Sequence, residues 1–330
     1  MNMIGFITGR AANALGLIVA VLVFSFLLMH LAPGDPALVI AGESADSATL
    51  DQVRHLYGFD QSIPRQLADH LWRIAHGDLG RSYFFNAPVA QLVLERMPAT
   101  LLLVGTAITA AVLLGTALGV YAACRPRGVA NAAITVLSVV GFAAPVFWTG
   151  IVLVQLFASH WAIFPVNGMR DVSAASRGTF ADIVDVLYHL VLPATSLALF
   201  YVAQYSRLSR ATMLEVLNAD YVRTARSKGL PEFVIVFRHA LRNAVLPVLT
   251  VLGLQVGQLF AGAVLVEAVF SWPGLGTLAF EAILRRDTPV LLGILLLSAV
   301  AVVLTNMGID LLYRVIDPRL GSGGAKGATP

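Results

Sequence analysis

Few residues in this sequence stand at spacings that could do chemistry. The run Gly274-Leu275-Gly276-Thr277-Leu278-Ala279 has the glycine spacing of a dinucleotide-binding turn, in which glycines let backbone N–H groups approach a pyrophosphate at the head of a helix. That chemistry needs a preceding strand and a βαβ setting, and here the run follows Pro273 in a connecting loop, so it reads as a turn. A phosphate-binding P-loop needs a Gly-Lys pair, and the sequence contains none. Any ATP must therefore be hydrolysed by another subunit. His189, with Ser196 and Ser206 further along the same apolar stretch, lacks the spacing of a nucleophile and its base, and reads as a structural hydrogen-bonder. Cys124 is the sole cysteine, which excludes an intramolecular disulfide, and no Cys/His group has zinc-ligand spacing.

The remaining polar residues in apolar stretches are mostly neutral: Gln155, Gln204, Gln255, Gln258 and Asn306. They could line a water-filled path or hydrogen-bond between helices, and the sequence favours neither. Proton- and sodium-coupled carriers commonly place ionisable groups mid-membrane, whereas Glu267 and Asp310 fall near the ends of apolar stretches. A self-contained secondary transporter is disfavoured on that ground.

The elements that must position these residues are membrane spans. Of the 330 residues, 58% are hydrophobic and 12% charged, where a soluble domain carries roughly a quarter charged. Stretches near the roughly 20 residues that cross a bilayer recur at 11–31, 99–123, 132–159, 188–205, 244–267 and 289–312. The first is long for a signal sequence and lacks a convincing cleavage site, so it reads as a retained span. An all-α, six-span polytopic protein follows. With the N-terminus inside, thirteen Lys and Arg fall on the inner face, against Arg170, Arg177, Arg285 and Arg286 on the short outer loops. The positive-inside rule then puts both termini in the cytoplasm. Pro145, Pro193 and Pro247 predict kinks, and Gly115/Gly119 and Gly253/Gly257 predict close helix packing.

The predicted segments are a first span (1–31), an outer helical segment (32–98), a transmembrane core (99–312) and a cytoplasmic tail (313–330). In the outer segment Thr49 with Gln52 suggests a capping box and Gly58 a stop. Ser62 and Pro64 start a second helix carrying Leu67, Leu71 and Ile74 on one face, ending near Gly77. A small folded outer cap is expected, and the alternative is helices lying on lipid headgroups.

The inner loop 206–243 is the most informative segment. Asn218 suits a helix cap, Lys228 a helix C-terminus, and Gly229 a left-handed stop, and Pro231 is placed to start a second helix. Two short helices at an angle are expected, with seven basic residues against Glu215, Asp220 and Glu232. Tethering at both ends argues against a DNA-reading helix-turn-helix. A rigid Gly-Leu-Pro corner favours protein docking over simple attraction to anionic lipid.

This loop resembles the coupling loop of ABC importer permeases, whose pattern is EAA, three residues, Gly and a later Leu-Pro. Ala225, Gly229 and Leu246-Pro247 match, Arg223 replaces the Glu, and the Gly to Leu-Pro spacing is longer than in sugar importers. Both departures resemble the dipeptide, oligopeptide and nickel branch, in which Asp220-Tyr221-Val222-Arg223-Thr224-Ala225-Arg226 and Arg238-His239-Ala240-Leu241-Arg242-Asn243 recur. Ala32-Pro33-Gly34-Asp35-Pro36, Trp272-Pro273-Gly274-Leu275-Gly276 and Tyr313-Arg314-Val315-Ile316-Asp317-Pro318-Arg319 resemble it too, and the long segment after span one resembles the B-type, first peptide permease. The resemblance implies a type I ABC importer permease fold in a bacterial cytoplasmic (inner) membrane, with no catalytic residue, metal or cofactor of its own. ATP and Mg would be bound by two cytoplasmic ATPase subunits, and a second homologous permease and an extracytoplasmic solute-binding protein would complete the importer. It assigns ATPase coupling to Asp220, Tyr221, Arg223, Thr224, Ala225, Arg226, Lys228, Gly229, Leu230, Arg238, His239 and Arg242. Peptide, nickel and glutathione remain open as cargo, with peptide preferred.

Overall fold

The structure is a computed structural model and describes residues 3–31, 35–42, 45–171 and 179–316. The side chain of Gln258, residues 32–34 and the tail from 317 onward lie outside the described residues. Among the described residues the regular secondary structure is all helical, apart from one isolated bridge between Arg81 and Pro88. It divides into two compact units, Met1–Pro98 with Thr277–Val303 and Ala99–Gly276 with Leu304–Pro330.

The first unit begins with α1 (Met3–Leu31), whose described apolar stretch is Ala12–Leu27. Asp35 caps α2 (Pro36–Ala41) by accepting the Ala37 N–H, and Arg54 of α3 (Ser47–Tyr57) donates to the other oxygen of the same carboxyl at 2.6 Å. The capping box expected at Thr49 is not formed. Asp46 is the cap and accepts from the Thr49 N–H at 3.0 Å, so the helix starts at Ser47 and Thr49 lies inside its first turn. Gly58 ends α3 in the left-handed region, as expected. Ser62 starts α4 (Ile63–Ala75), which ends before Gly77. Gln66 of α4 bonds His30 of α1 at 3.1 Å, and His70 packs 5.6 Å from Phe26, so α4 rests on the end of α1. Asp287, fully buried, accepts from Ser82 Oγ and from the Tyr83 and Phe84 N–H groups, pinning the turn after α4. Burial, with Asp287 nearby, pushes the Tyr83 phenol up to about 12.

The second unit is built on long rods. They are α5 (Val89–Cys124), which enters it at Ala99, then the broken pair α6 (Val129–Ala143) and α7 (Val146–Leu153), α8 (Thr179–Leu217), and a later helix that begins in the loop described below. The rods outrun the apolar stretches that announced them: α8 covers 39 residues where hydropathy marked 188–205. Hydropathy sees only the part that matches lipid, while the helix continues wherever its polar turns find packing partners. Pro193 lies inside a continuous helix, but Pro145 does more than kink. Ala144 is extended (φ −77°, ψ 128°) and the flanking helices meet at 106°, since Pro removes a helical N–H and pushes the preceding residue out of the α region. Among the described residues four helices are long and apolar enough to cross a bilayer, or up to six with each bent pair counted as one span.

Glycine sets the contact between α5 and α8. A Cβ at Gly119 would stand 2.5 Å from the Ser206 carbonyl oxygen, and one at Gly115 would stand 2.7 Å from Tyr205 Cβ. The two backbones touch there, as the small-residue spacing predicts. The other pair, Gly253/Gly257, runs into 256–261, outside the described side chains. The core around this seam includes Leu103, Leu197, Tyr205, Val248, Phe270 and Trp272.

Candidate functional site

The loop between α8 and the next rod is shorter than expected. α8 continues to Leu217, and Asn218 does not cap the following helix, because its amide donates back to the Leu214 carbonyl at 2.9 Å. That follows from position: as the residue just after α8, it reaches one of the open carbonyls that every helix C-terminus leaves. The helix α9 (Asp220–Ser227) then starts at Ala219 without a side-chain cap. Gly229 adopts φ +74°, and the Leu230 N–H closes back on the Ala225 carbonyl, ending α9 as its glycine predicts. A Cβ at Gly229 meets nothing within 4 Å, so glycine is needed there for backbone conformation rather than for room.

The expected second short helix is not separate. α10 (Glu232–Val234) starts at Pro231 and runs through a π-helical turn, Ile235–Ala240, into α11 (Leu241–Phe270), which passes Pro247 unbroken. No helix-breaking residue stands between 232 and 246, so nothing stops the helix before the apolar stretch. The loop is thus one free-standing helix, α9, and a sharp corner joining two rods.

The two faces of α9 have different environments. Val222 and Ala225, three residues apart and so on one face, are buried in an apolar cluster with Val120 and Ala123 of α5, Met213 and Leu217 of α8, and Ile235, Ala240 and Ala244 at the start of the next rod. Burying Val222 completely contributes about 1.5–3 kcal/mol. On its other side Asp220, Tyr221, Arg223 and Thr224 are exposed, as are Lys228 and Leu230 in the corner and Arg238 and Arg242 on the next rod, where His239 is half-buried. Of the residues expected to couple, Ala225 is buried in this cluster.

Hydrogen bonds hold the corner. Arg226 donates to Glu232 at 2.8 Å and reaches the Leu217 carbonyl at 3.5 Å, closing both ends of α9 on their neighbours. The Glu232 carboxylate raises the already high pKa of Arg226 further. Asn243 donates to the Tyr221 hydroxyl at 2.8 Å, and Arg223 lies 3.5 Å from Asp220. One exposed feature escaped the sequence reading. Phe233 and Phe237, 71% and 51% exposed, pack ring to ring at 4.6 Å beside α9. Their i, i+4 spacing just after Pro231, ahead of the span marked at 244, was the available signal.

The candidate pore residues have unlike surroundings. Gln155 is exposed on the π-helical turn Val154–His160 that follows α7, Gln204 and Asn306 are half-buried, and Gln255 is buried with its Oε1 unpartnered among the described residues. An apolar recess of about 450 Å³ between α5 and α8, bordered by Thr106, Leu114, Leu190 and Ala198, contains no ionisable side chain. Ser196 donates to the Pro193 carbonyl and His189 bonds the Asp185 carbonyl, so neither makes the contact a hydrolase pair requires. Among the described residues no three His, Cys, Asp or Glu side chains cluster as metal ligands.

Comparison with known proteins gives the same picture. The family described as binding-protein-dependent transport system inner membrane component matches residues 115–322, and its N-terminal companion matches residues 3–104. The dipeptide transport system permease protein DppB of Escherichia coli (strain K12) is 37% identical over 335 residues, covering 96% of this chain and 99% of the relative. A putative peptide transport system permease protein of Brucella abortus (strain 2308) is 39% identical, and the oligopeptide transport system permease protein AppB of Bacillus subtilis (strain 168) 36%, with the same coverage. All-helical rods, a free-standing loop helix and full-length similarity agree: the chain belongs to the family of inner-membrane components of binding-protein-dependent transport systems and is a non-catalytic permease subunit of the ABC importer type.

Proposed function

We propose that this chain forms half of a peptide translocation pathway, paired with a second homologous permease, and that α9 is the point at which two cytoplasmic ATPase subunits move it. Relatives named for dipeptide and oligopeptide transport support peptide as cargo. An extracytoplasmic solute-binding protein would deliver it, and ATP and Mg would be bound by the ATPases alone. Both termini and α9 lie in the cytoplasm, which the excess of Arg and Lys on that side supports. Segment 32–98 with α2 to α4 lies outside, 99–312 forms the core, and 313–330 is a cytoplasmic tail.

One observation carries the coupling role: α9 buries Val222 and Ala225 among the ends of three rods while its cationic and aromatic face stays open. A helix held this way moves with the rods, so a partner gripping its free face shifts them as rigid bodies. Tyr and Arg on that face are the residue types that dominate protein interfaces. Phe233 and Phe237 extend the same surface.

Replacing Gly229 by Val tests this directly. A β-branched residue in the left-handed region costs at least about 1–2 kcal/mol and displaces the corner. Peptide uptake should be lost while the protein still inserts, and the chain should no longer copurify with ATPase subunits. Unchanged uptake and unchanged copurification would sink the coupling role.

A further inference from the structure

A second cluster joins the same rods at the end away from α9. α11 ends at Phe270, and after a short turn the chain resumes as α12 (Leu275–Leu284). Glu267, in the last turn of α11, is fully buried. Its Oε1 accepts from the Thr100 hydroxyl at 2.6 Å, and its Oε2 accepts from the Gly276 N–H at 2.7 Å. The Thr100 oxygen itself accepts the Leu275 N–H at 2.7 Å, and the buried Trp272 indole donates to the Ala99 carbonyl at 2.9 Å. Glu267 and Thr100 thus supply the acceptors that the first turn of α12 lacks, and bind them to α5.

The surrounding sequence is shaped to admit this carboxylate. A Cβ at Gly274 would lie 2.2 Å from Glu267 Oε1, and one at Gly276 would lie 2.5 Å from Val264 Cα. The glycines that mimic a nucleotide-binding turn are therefore spent on an internal carboxylate. An apolar side chain would hold the bend with less demand, since a buried acid is costly unless every oxygen is paired. What the acid adds is directional attachment of three helices at once.

We propose that Glu267 is a positioning residue for transport: it locks α5, α11 and the head of α12 into one body, so that motion entering at α9 reaches the far end of the pathway. α5 and α11 each join both clusters, Val120 and Ala244 at the α9 end, Thr100 and Glu267 at the other. The residues between them span roughly 30–35 Å of helix at 1.5 Å per residue. Without it the far ends of the rods share only apolar core contacts, which do not fix direction.

The inference rests on the coupling role of α9, and the experiment separates the two. The whole importer, with both permeases, ATPases and binding protein, is reconstituted in proteoliposomes, and uptake of labelled alanyl-alanine is measured beside ATP hydrolysis. Glu267→Ala should lower uptake about tenfold or more with hydrolysis changed less than about twofold, because two buried donors lose their acceptor. Glu267→Gln, whose amide can accept from Gly276 and donate to Thr100, should bring uptake back to within about threefold of the parent. If Glu267→Ala does not assemble, Thr100→Val decides by the same ratio of uptake to hydrolysis. Parental uptake in Glu267→Ala, or uptake and hydrolysis falling in proportion in the variant that assembles, overturns the proposal. Gly229→Val run alongside reports on the coupling role independently, and absence of uptake by the parent complex overturns the peptide reading.

Discussion

The two ends of α5 and α11 are fastened by opposite chemistry. At the α9 end the fastener is aliphatic: Val120, Ala123, Val222, Ala225, Ala240 and Ala244, with the charges outside. At the other end it is polar and internal, Glu267 with Thr100, the Gly276 N–H and the Trp272 indole. Apolar contact is non-directional and tolerates small sliding, which would suit a helix that seats in a partner as proposed. Hydrogen bonds from a buried carboxylate fix direction and distance and fail as a unit when one member is lost. In the proposed coupling, the α9 end would receive force and the other end would keep the rods in register.

The comparison breaks most visibly at Val222. Val222→Asp puts an unpaired carboxylate into the aliphatic cluster at a cost of several kcal/mol, so peptide uptake should fall about a hundredfold or vanish, as counted in whole cells. Robust uptake in that variant would mean the fastener is not apolar.

The rods between the two ends should matter next. Gly119→Leu forces a side chain into the Ser206 backbone, an overpacking worth at least about 1–3 kcal/mol. Thermal unfolding in detergent should shift downward by several degrees, whereas Gly105→Ala, with nothing within 4 Å of the new methyl, should leave it in place. Equal behaviour of the two variants would remove the tight seam between α5 and α8 from the account.

The smallest effect belongs to the charged rim. Arg226 and Glu232 are 43% and 64% exposed at their side chains, and an ion pair so placed contributes about 0–1 kcal/mol. Glu232→Gln should reduce uptake less than about threefold, with the difference fading at high salt. A larger, salt-independent loss would move Glu232 from the rim into the contact itself.

Much of this was legible from residue types alone. Gly58 and Gly229 stop helices where they were expected to, and Gly115 and Gly119 pack as their spacing predicts. Where local reading failed, a competing local group had won. Asp46 took the N–H of Thr49, and Asn218 turned back onto Leu214. Pro145 broke the third span outright, while Pro193 and Pro247 were absorbed into continuous helices. A proline's effect depends on whether neighbours support the helix around it, which a single segment does not encode.

The sequence by itself determined the solvent and the punctuation: apolar runs of bilayer length, a basic loop with a glycine corner, and no phosphate-binding motif of its own. Those are properties of residues close together in the chain, set by transfer free energy and backbone sterics. Only the tertiary structure decided which side of α9 is anchor and which is free, and that Glu267 meets a threonine 167 residues away. Hydropathy and spacing are functions of position along one chain. Which buried donor finds which acceptor is settled when the rods pack, because a buried polar group must be paired wherever its partner comes from.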